Sequence, residues 1–334
     1  ETDLGLIATN TVAQGDSREV GLDAMVDGGF TITRAIQSRS WPAASANLEY
    51  AAAWGTLAEV ALDVPRVADG NPVRRISTLL EPSGRAEGNP VPLTENAGLS
   101  FQGCIVLGKG FVVDHAEAQE WIATDPRNAE VLFPYLNGDD LNSRPDASAS
   151  RWVIDFNERS EAEAAAYRLP FARLAEQVKA ERASKPKAVR DAPWWIFLRT
   201  RPALRKAIAG LAEVLVITRH SKTVMPLRVP TGQVASEACV VFATDSYSVQ
   251  AVLSSSLHQL WAITYGSGMR NDPRYTPSDV FETFPRPLNA DGLETIGRVL
   301  DEERQEIMLR RDLGLTKLYN LVNDPEIADS ADGD

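Results

Sequence analysis

The run Leu4–Ala8 carries no polar side chain and ends in Thr9-Asn10-Thr11. Such runs, apolar without alternation, suit a strand covered on both faces of a parallel sheet. The polar residues at its carboxyl end stand where open α/β sheets bind ligands. Arg18–Val26 then reads as a short helix closed by Gly28-Gly29. Phe30–Ile36 alternates as a strand, and after the Trp41-Pro42 turn Leu48–Ala51 supplies another. Strand, helix, strand, turn, strand is therefore the expected order for residues 1–62, an α/β arrangement that closes an open sheet.

Residues Val64 to Asn96 hold Asp69-Gly70-Asn71-Pro72, Pro82-Ser83-Gly84 and Gly88-Asn89-Pro90, the turn chemistry of a connecting segment with only short strands. In Ser100–Asp146 two apolar runs, Cys104–Leu107 and Phe111–Val113, flank Gly108-Lys109-Gly110 and predict a hairpin with Lys109 at its tip. Asp114 and Glu117 have capping-box spacing, so a helix is expected through Trp121 until Asp125-Pro126 stops it. The stretch from Asn137 to Asp146 is rich in turn formers and is expected as a polar loop.

Farther on, Trp152–Phe156 predicts a strand and Ser160 with Glu163 a capped helix, which Pro170 kinks or ends. A second helix carries Arg173, Lys179, Arg182, Lys185 and Lys187. Trp194-Trp195 among arginines suits core packing better than base stacking. Pro202 and Gly210 bound a helix, and Val214–Thr218, Met225–Val229 and Cys239–Ala243 read as strands. Ser246–Tyr265 has helical spacing throughout and is expected as one central helix, with His258 a satisfied interior or boundary group. The loop Gly266–Tyr275 follows, and from Gly292 an acidic amphipathic helix leads to Gly314–Asn320. Residues after Pro325 have the composition of a disordered tail.

The 334-residue chain has a net charge of −12, which at face value argues against a nucleic-acid partner. Its distribution argues otherwise: between Arg168 and Arg228 there are fourteen Lys and Arg against four Asp and Glu. A basic segment in an acidic chain points to an anionic partner, although a solvated helix face explains it too. No apolar run approaches the roughly 20 residues of a membrane span. The N-terminus has no Met, basic region or cleavage pattern, and is expected to be a fragment boundary rather than a signal peptide. Cys104 and Cys239 lie far apart in apolar runs, so neither a disulfide framework nor a metal site is expected, in keeping with a reducing cytoplasm.

The strings FQGCIVLGKGF (residues 101–111), DPRNAEVLFPYLNGDDLNSRPD (125–146), RYTPSDVFETFP (274–285) and GLTKLYN (314–320) occur in this order. The chain thereby resembles, from Gly5 to about Asn323, the target-recognition and C-terminal regions of MmeI-like adenine-specific DNA methyltransferases, the fused restriction and modification enzymes of type IIL. The resemblance implies that residues 1–62 end a class I methyltransferase domain, 63–98 connect, 99–288 form an α+β target-recognition domain, 289–323 a C-terminal helical region and 324–334 a disordered tail. It implies S-adenosylmethionine as cofactor of the full-length protein, double-stranded DNA as partner and a methyltransferase half upstream in the same polypeptide. In that family an Asn-Pro-Pro-Tyr box holds the flipped adenine. This sequence has neither that box nor a glycine-rich nucleotide loop, so the fragment alone is expected to be inactive and its cofactor-binding residues are not assigned.

Candidate DNA contacts are Lys109 at its turn, and Arg219, Ser221 and Lys222, which with His220 make a donor-rich cluster suited to phosphate. Arg270, Asn271 and Arg274 in the Gly266–Tyr275 loop have the side chains that read guanine and adenine edges. Trp41 stands where the resembling enzymes place an aromatic against the flipped base, or else seals a sheet edge. A stand-alone DNA-binding specificity subunit is the alternative. A hydrolase built on Asp139, Asp140 and Asp155 is a third, disfavoured because no Asp/Glu-x-Lys pattern or His pair accompanies these acids.

Overall fold

The computed structural model describes residues 3–42, 49–61, 63–82, 90–269, 272–287, 290–324 and 327. Two compact units interleave along the chain: Glu1–Glu95, His220–Lys222 and Ser256–Pro285 make the first, Asn96–Arg219, Thr223–Ser255 and Arg286–Asp334 the second.

In the first unit, strands β1 (Asp3–Thr9), β2 (Thr31–Ser40), β3 (Glu49–Thr56), β4 (Arg66–Ala68) and β5 (Asn71–Val73) form one sheet in the order β1-β3-β2-β4-β5. Both β1 and β2 run antiparallel to β3, which lies between them. They are therefore parallel to each other, joined by the helical turns Asn10–Ala13, Gly15–Arg18, Glu19–Asp23 and Ala24–Asp27. Gly28 caps the last turn, where the sequence puts the helix end. Leu22 and Phe30 pack on Ile32, Ala35, Ala51 and Ala53 of the sheet. β3 runs well past the expected Ala51, because Ala51, Ala52 and Ala53 are small enough for a middle strand covered on both faces. β1 departs from its expected burial: among the described strands it is marginal, with Leu4 47% and Ile7 59% exposed.

The second unit is built on two four-stranded sheets. β6 (Ser100–Gln102), β10 (Glu213–Thr218), β11 (Leu227–Pro230) and β13 (Cys239–Phe242) make one, in the order β11-β10-β13-β6. β7 (Val112–Val113), β8 (Leu132–Leu136), β9 (Arg151–Ile154) and β12 (Val234–Ala235) make the other, in the order β12-β8-β9-β7. One core gathers Phe111, Ile154, Phe156, Leu174 and Val178, with Trp194 and Trp195 half-buried against it. Trp195 Nε1 donates to the Arg159 carbonyl at 2.9 Å, so the Trp pair is core, as expected. The other core gathers Leu136, Leu141, Val216, Val241, Met308 and Leu315, the last two from the helices Glu294–Arg311 and Leu315–Val322.

Several local expectations are corrected. Cys104–Leu107 and Phe111–Val113 do not pair with each other. Val112–Val113 pairs with β9, while Cys104 bridges Ser236 and Ile105 bridges Arg199, since long-range partners bury these residues better than a hairpin would. Glu117 closes no capping box on Asp114 but binds Arg173 at 2.7 Å. The stretch after Asn137 is irregular only from Arg144 on. Asn137 and Asp140 form a reciprocal capping box, which starts the helix Gly138–Ser143 and carries Asp140 and Leu141 inside. The helix capped by Ser160 ends at Ala165, ahead of Pro170, which stands in the first turn of the next helix, Arg168–Gln177, where a missing N–H costs nothing. The expected single helix Ser246–Tyr265 is two, Tyr247–Leu253 and Ser256–Tyr265, interrupted at Ser254-Ser255. The interruption rephases the second, so that Leu257 (71%) and Leu260 (51%) are exposed and His258 is fully buried.

The first unit also contains that second helix and a hairpin, β14 (Ser267–Met269) with β15 (Asp272–Arg274), where the sequence suggests an irregular loop. A Cβ at Gly266 would stand 2.4 Å from the Ala262 carbonyl oxygen and 3.0 Å from that of Arg274. Only glycine lets the helix end so close to the returning strand.

Candidate nucleic-acid interface

In the first unit, the carboxyl ends of the parallel strands β1 and β2 collect polar and aromatic groups. Thr9 Oγ1 and Thr11 Oγ1 share a hydrogen bond at 2.6 Å. Glu49 accepts from Asn10 Nδ2 at 3.2 Å and from Ser38 Oγ at 2.6 Å. Tyr50, paired with Thr9 in the sheet, meets Trp41 edge to face at 5.4 Å, and Trp41 is 42% exposed. Trp41 is thus an exposed aromatic just past the carboxyl end of β2, with a second ring, Tyr50, that sequence reasoning missed; its position after a turn and before an Ala run was the available signal.

The hairpin β14–β15 lies against Asn10–Ala13 and Gly15–Arg18, the turns that follow β1. Arg274, on β15, forms an antiparallel backbone bridge with His220. Two segments singled out separately in the sequence thus meet within the first unit, where an isolated bridge joins His220 to Arg274. Arg274 is half-buried, and its Nε has no hydrogen-bond partner among the described residues. Lys222 is exposed, whereas Ser221 is buried, so the hydroxyl of Ser221 is less accessible than its neighbour's ammonium. Arg270 and Asn271 lie outside the described residues. Behind this surface, His258 Nε2 and Tyr275 Oη are 2.9 Å apart, and Trp261 Nε1 donates to Thr283 Oγ1 at 3.0 Å. Burial holds the Tyr275 phenol well above the ordinary tyrosine range, so it stays neutral, and of the interior and boundary places the sequence leaves open to His258 the structure takes the interior one.

In the second unit, Lys109 is exposed on a tight turn. Leu107 (φ 46°) and Gly108 (φ 142°) are both left-handed there, and the turn is held from beneath. Arg182, 1% exposed, donates to the carbonyls of Val106 (2.7 Å), Leu107 (3.0 Å) and Pro193 (2.9 Å), and lies over the Phe111 ring. The Lys109 backbone N–H reaches Glu181 Oε2 at 3.4 Å. Arg182 is therefore a structural cation rather than the surface residue the sequence count suggests.

The same holds for much of the basic segment. Arg173 pairs with Glu117, Lys187 with Asp191, Arg205 with Asp155 at 2.6 Å, and Arg228 approaches Asp301 at 3.7 Å and lies over the Tyr247 ring. Lys179 stands over the Trp194 ring. Arg168, Lys185 and Lys206 are exposed with no side-chain ion pair or hydrogen bond among the described residues. Arg219, half-buried, is fixed by its backbone N–H on the Ala238 carbonyl at 2.7 Å.

Two of the three acids of the hydrolase alternative are engaged structurally, and Asp139 is exposed. Asp140 accepts from Asn137 and from the Ser150 N–H, and Asp155 from Arg205 and the Asn157 N–H. Among the described residues no group of three or more His, Cys, Asp or Glu is arranged to hold a metal ion, and no helix is long and apolar enough to cross a membrane.

The profile of the family described as "MmeI, target recognition domain" matches residues 92–288 of this chain. Among solved structures, the type IIL restriction-modification enzyme MmeI in complex with DNA is similar, with a TM-score of 0.72 and 20% identity, over 97% of this chain and 44% of that one. The chain thus spans less than half the length of the structure whose fold it shares. The type IIG restriction endonuclease BpuSI is 12% identical over 92% of this chain and 42% of that one, with a TM-score of 0.33, too low to compare folds. No curated protein matches.

Proposed function

The chain belongs to the family of MmeI target recognition domains, and from that premise we propose that it is the sequence-reading part of a site-specific DNA methyltransferase. The enzyme methylates adenine at N6, draws the methyl group from S-adenosylmethionine, and serves a restriction-modification or phage-defence system in the cytoplasm. Double-stranded DNA is its partner. The hairpin β14–β15 and the segment Arg219–Lys222 read and grip the duplex, with Arg270, Asn271 and Arg274 toward base edges, and Lys109, Arg219, Ser221 and Lys222 toward phosphates. The observation that carries this reading is that the hairpin lies against the turns following β1, at the end of the sheet where open α/β proteins bind ligands.

The order β1-β3-β2, with a reversed strand between two parallel ones, supports taking residues 1–62 as the closing edge of a class I methyltransferase sheet. The exposed Leu4 and Ile7 on marginal β1 support a seam to further strands, because a bare apolar edge invites pairing. The methyltransferase half upstream in the same polypeptide supplies those strands.

The residues of this chain do not by themselves fit the methyl donor. Its sequence has no glycine-rich nucleotide loop and no Asn-Pro-Pro-Tyr box, and Asn10 at the end of β1 is bonded to Glu49. When bound, the donor supplies an electrophilic methyl. What this chain contributes is binding, register and Trp41, an exposed ring able to stack on an extruded base.

The reading is tested by duplex affinity of this chain across a salt series. A linear fall of log affinity with log salt is expected, because phosphate contacts release counterions; a flat response contradicts the phosphate contacts.

A further inference from the structure

The second unit holds a cavity of about 190 Å³ that the DNA reading does not use. It lies beside the helix Pro202–Ile208 and strands β10 and β11, and its walls include Phe133, Leu204, Ile208, Val216 and Val229. Folded interiors carry few voids larger than a water molecule, and an apolar cavity of about 150 Å³ stays dry and takes up benzene. This one is larger, and it is not closed. The turn Pro230–Gln233 between β11 and β12 forms its rim, with Pro230 and Gly232 exposed.

One wall is polar. Asp155, 1% exposed, accepts from Arg205 Nη2 at 2.6 Å, while Arg205 Nε donates to the Thr200 carbonyl at 2.9 Å. Arg205 Nη2 also faces Cys104 Sγ at 3.9 Å. Arg205 Nη1 makes no hydrogen bond among the described residues. Arg205 is among the lining residues, so its guanidinium stands in the wall of an otherwise largely apolar space. Asp155 already neutralises the guanidinium, so a ligand bringing its own carboxylate would add an uncompensated charge to a mostly apolar space. Burial keeps the Cys104 thiol protonated, which makes it a wall and not a nucleophile.

We propose that this cavity is a binding site for a neutral, mainly apolar small molecule of about the size of a monosubstituted benzene, with one hydrogen-bond acceptor directed at Arg205. Such sites typically combine an apolar lining with one or a few placed polar groups. The site is independent of the DNA reading, and DNA is absent from its test.

The probes are acetophenone, which has the ring and the acceptor, ethylbenzene, which lacks the acceptor, and benzoate, which is charged. Titrated into the chain with methyl-labelled Leu, Ile and Val, acetophenone is expected to shift the Leu204, Ile208 and Val229 signals saturably. Ethylbenzene is expected to bind about three- to tenfold more weakly, the equivalent of one hydrogen bond, and benzoate more weakly than acetophenone. Ile208→Trp on the half-buried wall, and separately Gln233→Trp at the rim, are expected to abolish the shifts while circular dichroism shows the fold retained. Two variants guard against one failing to fold. Absence of saturable shifts with acetophenone, or unchanged binding by a folded tryptophan variant, would overturn the site. Equal affinity for acetophenone and ethylbenzene would overturn the role of Arg205.

Discussion

His220 and Arg274 are bridged backbone to backbone, which makes neighbours of two segments that a sequence of turns and helices keeps apart. Neither segment alone is a specific signal. Together they form a surface with a guanidinium whose Nε is unpartnered among the described residues and an exposed ammonium at Lys222.

Arg274→Ala is expected to relax preference at a single base position, at a cost of about 1–3 kcal/mol. Competition between a bound duplex and its single-site variants measures this. Loss spread evenly over all sequences would move Arg274 to the phosphate-binding group.

Lys109→Ala and Lys222→Ala are expected to weaken duplex binding uniformly, each lowering the magnitude of the salt slope by about 1. Arg182→Met should instead destabilise the turn that presents Lys109, because three carbonyls lose their donor at once. Comparing its urea midpoint with that of Lys109→Ala separates support from contact.

Arg205→Met leaves the Asp155 carboxylate, 1% exposed, without its ion partner. A loss of about 3–5 kcal/mol in unfolding free energy is expected. The double variant Arg205→Met, Asp155→Asn should lose less, because the stranded charge is gone. Equal losses would mean that the pair acts by packing alone.

Burial pushes the Cys104 thiol from an ordinary 9.0 up to about 11 and that of Cys239 to about 12. Both folded values are raised, so their contribution is fully present below pH 9.0 and is lost as pH rises toward 11. In that window the unfolded chain has released protons that the fold retains. Over the window each thiol should cost about 1 kcal/mol per pH unit, and a Cys104→Ala, Cys239→Ala variant should show a correspondingly shallower decline in urea titrations at pH 8 and pH 10.

Much of this was legible because local rules governed it. Ser160 with Glu163, Pro202 with its following helix, and the three strands after Val214 all follow from nearest-neighbour chemistry. What escaped depends on distant partners. Val112 and Val113 pair with β9 and not across the Gly108-Lys109-Gly110 turn. Arg182 counts as surface charge until three carbonyls are seen around it. The break at Ser254-Ser255 leaves no Pro or Gly to announce it, yet it exposes Leu257 and Leu260 and buries His258. The strings that carried the resemblance also turn out to include scaffold: Asn137 and Asp140 cap a helix, and Leu315 and Leu318 fill a core. They identify the family, and of the proposed DNA contacts they hold Lys109 and Arg274.

The proposed reading of DNA is tested most directly by selecting bound duplexes from a randomised pool with this chain at moderate salt and sequencing them. Enrichment of one short motif is expected, with Arg274→Ala degenerate at one position of it. Retention of duplexes with no sequence preference, by the chain and its variant alike, would contradict it.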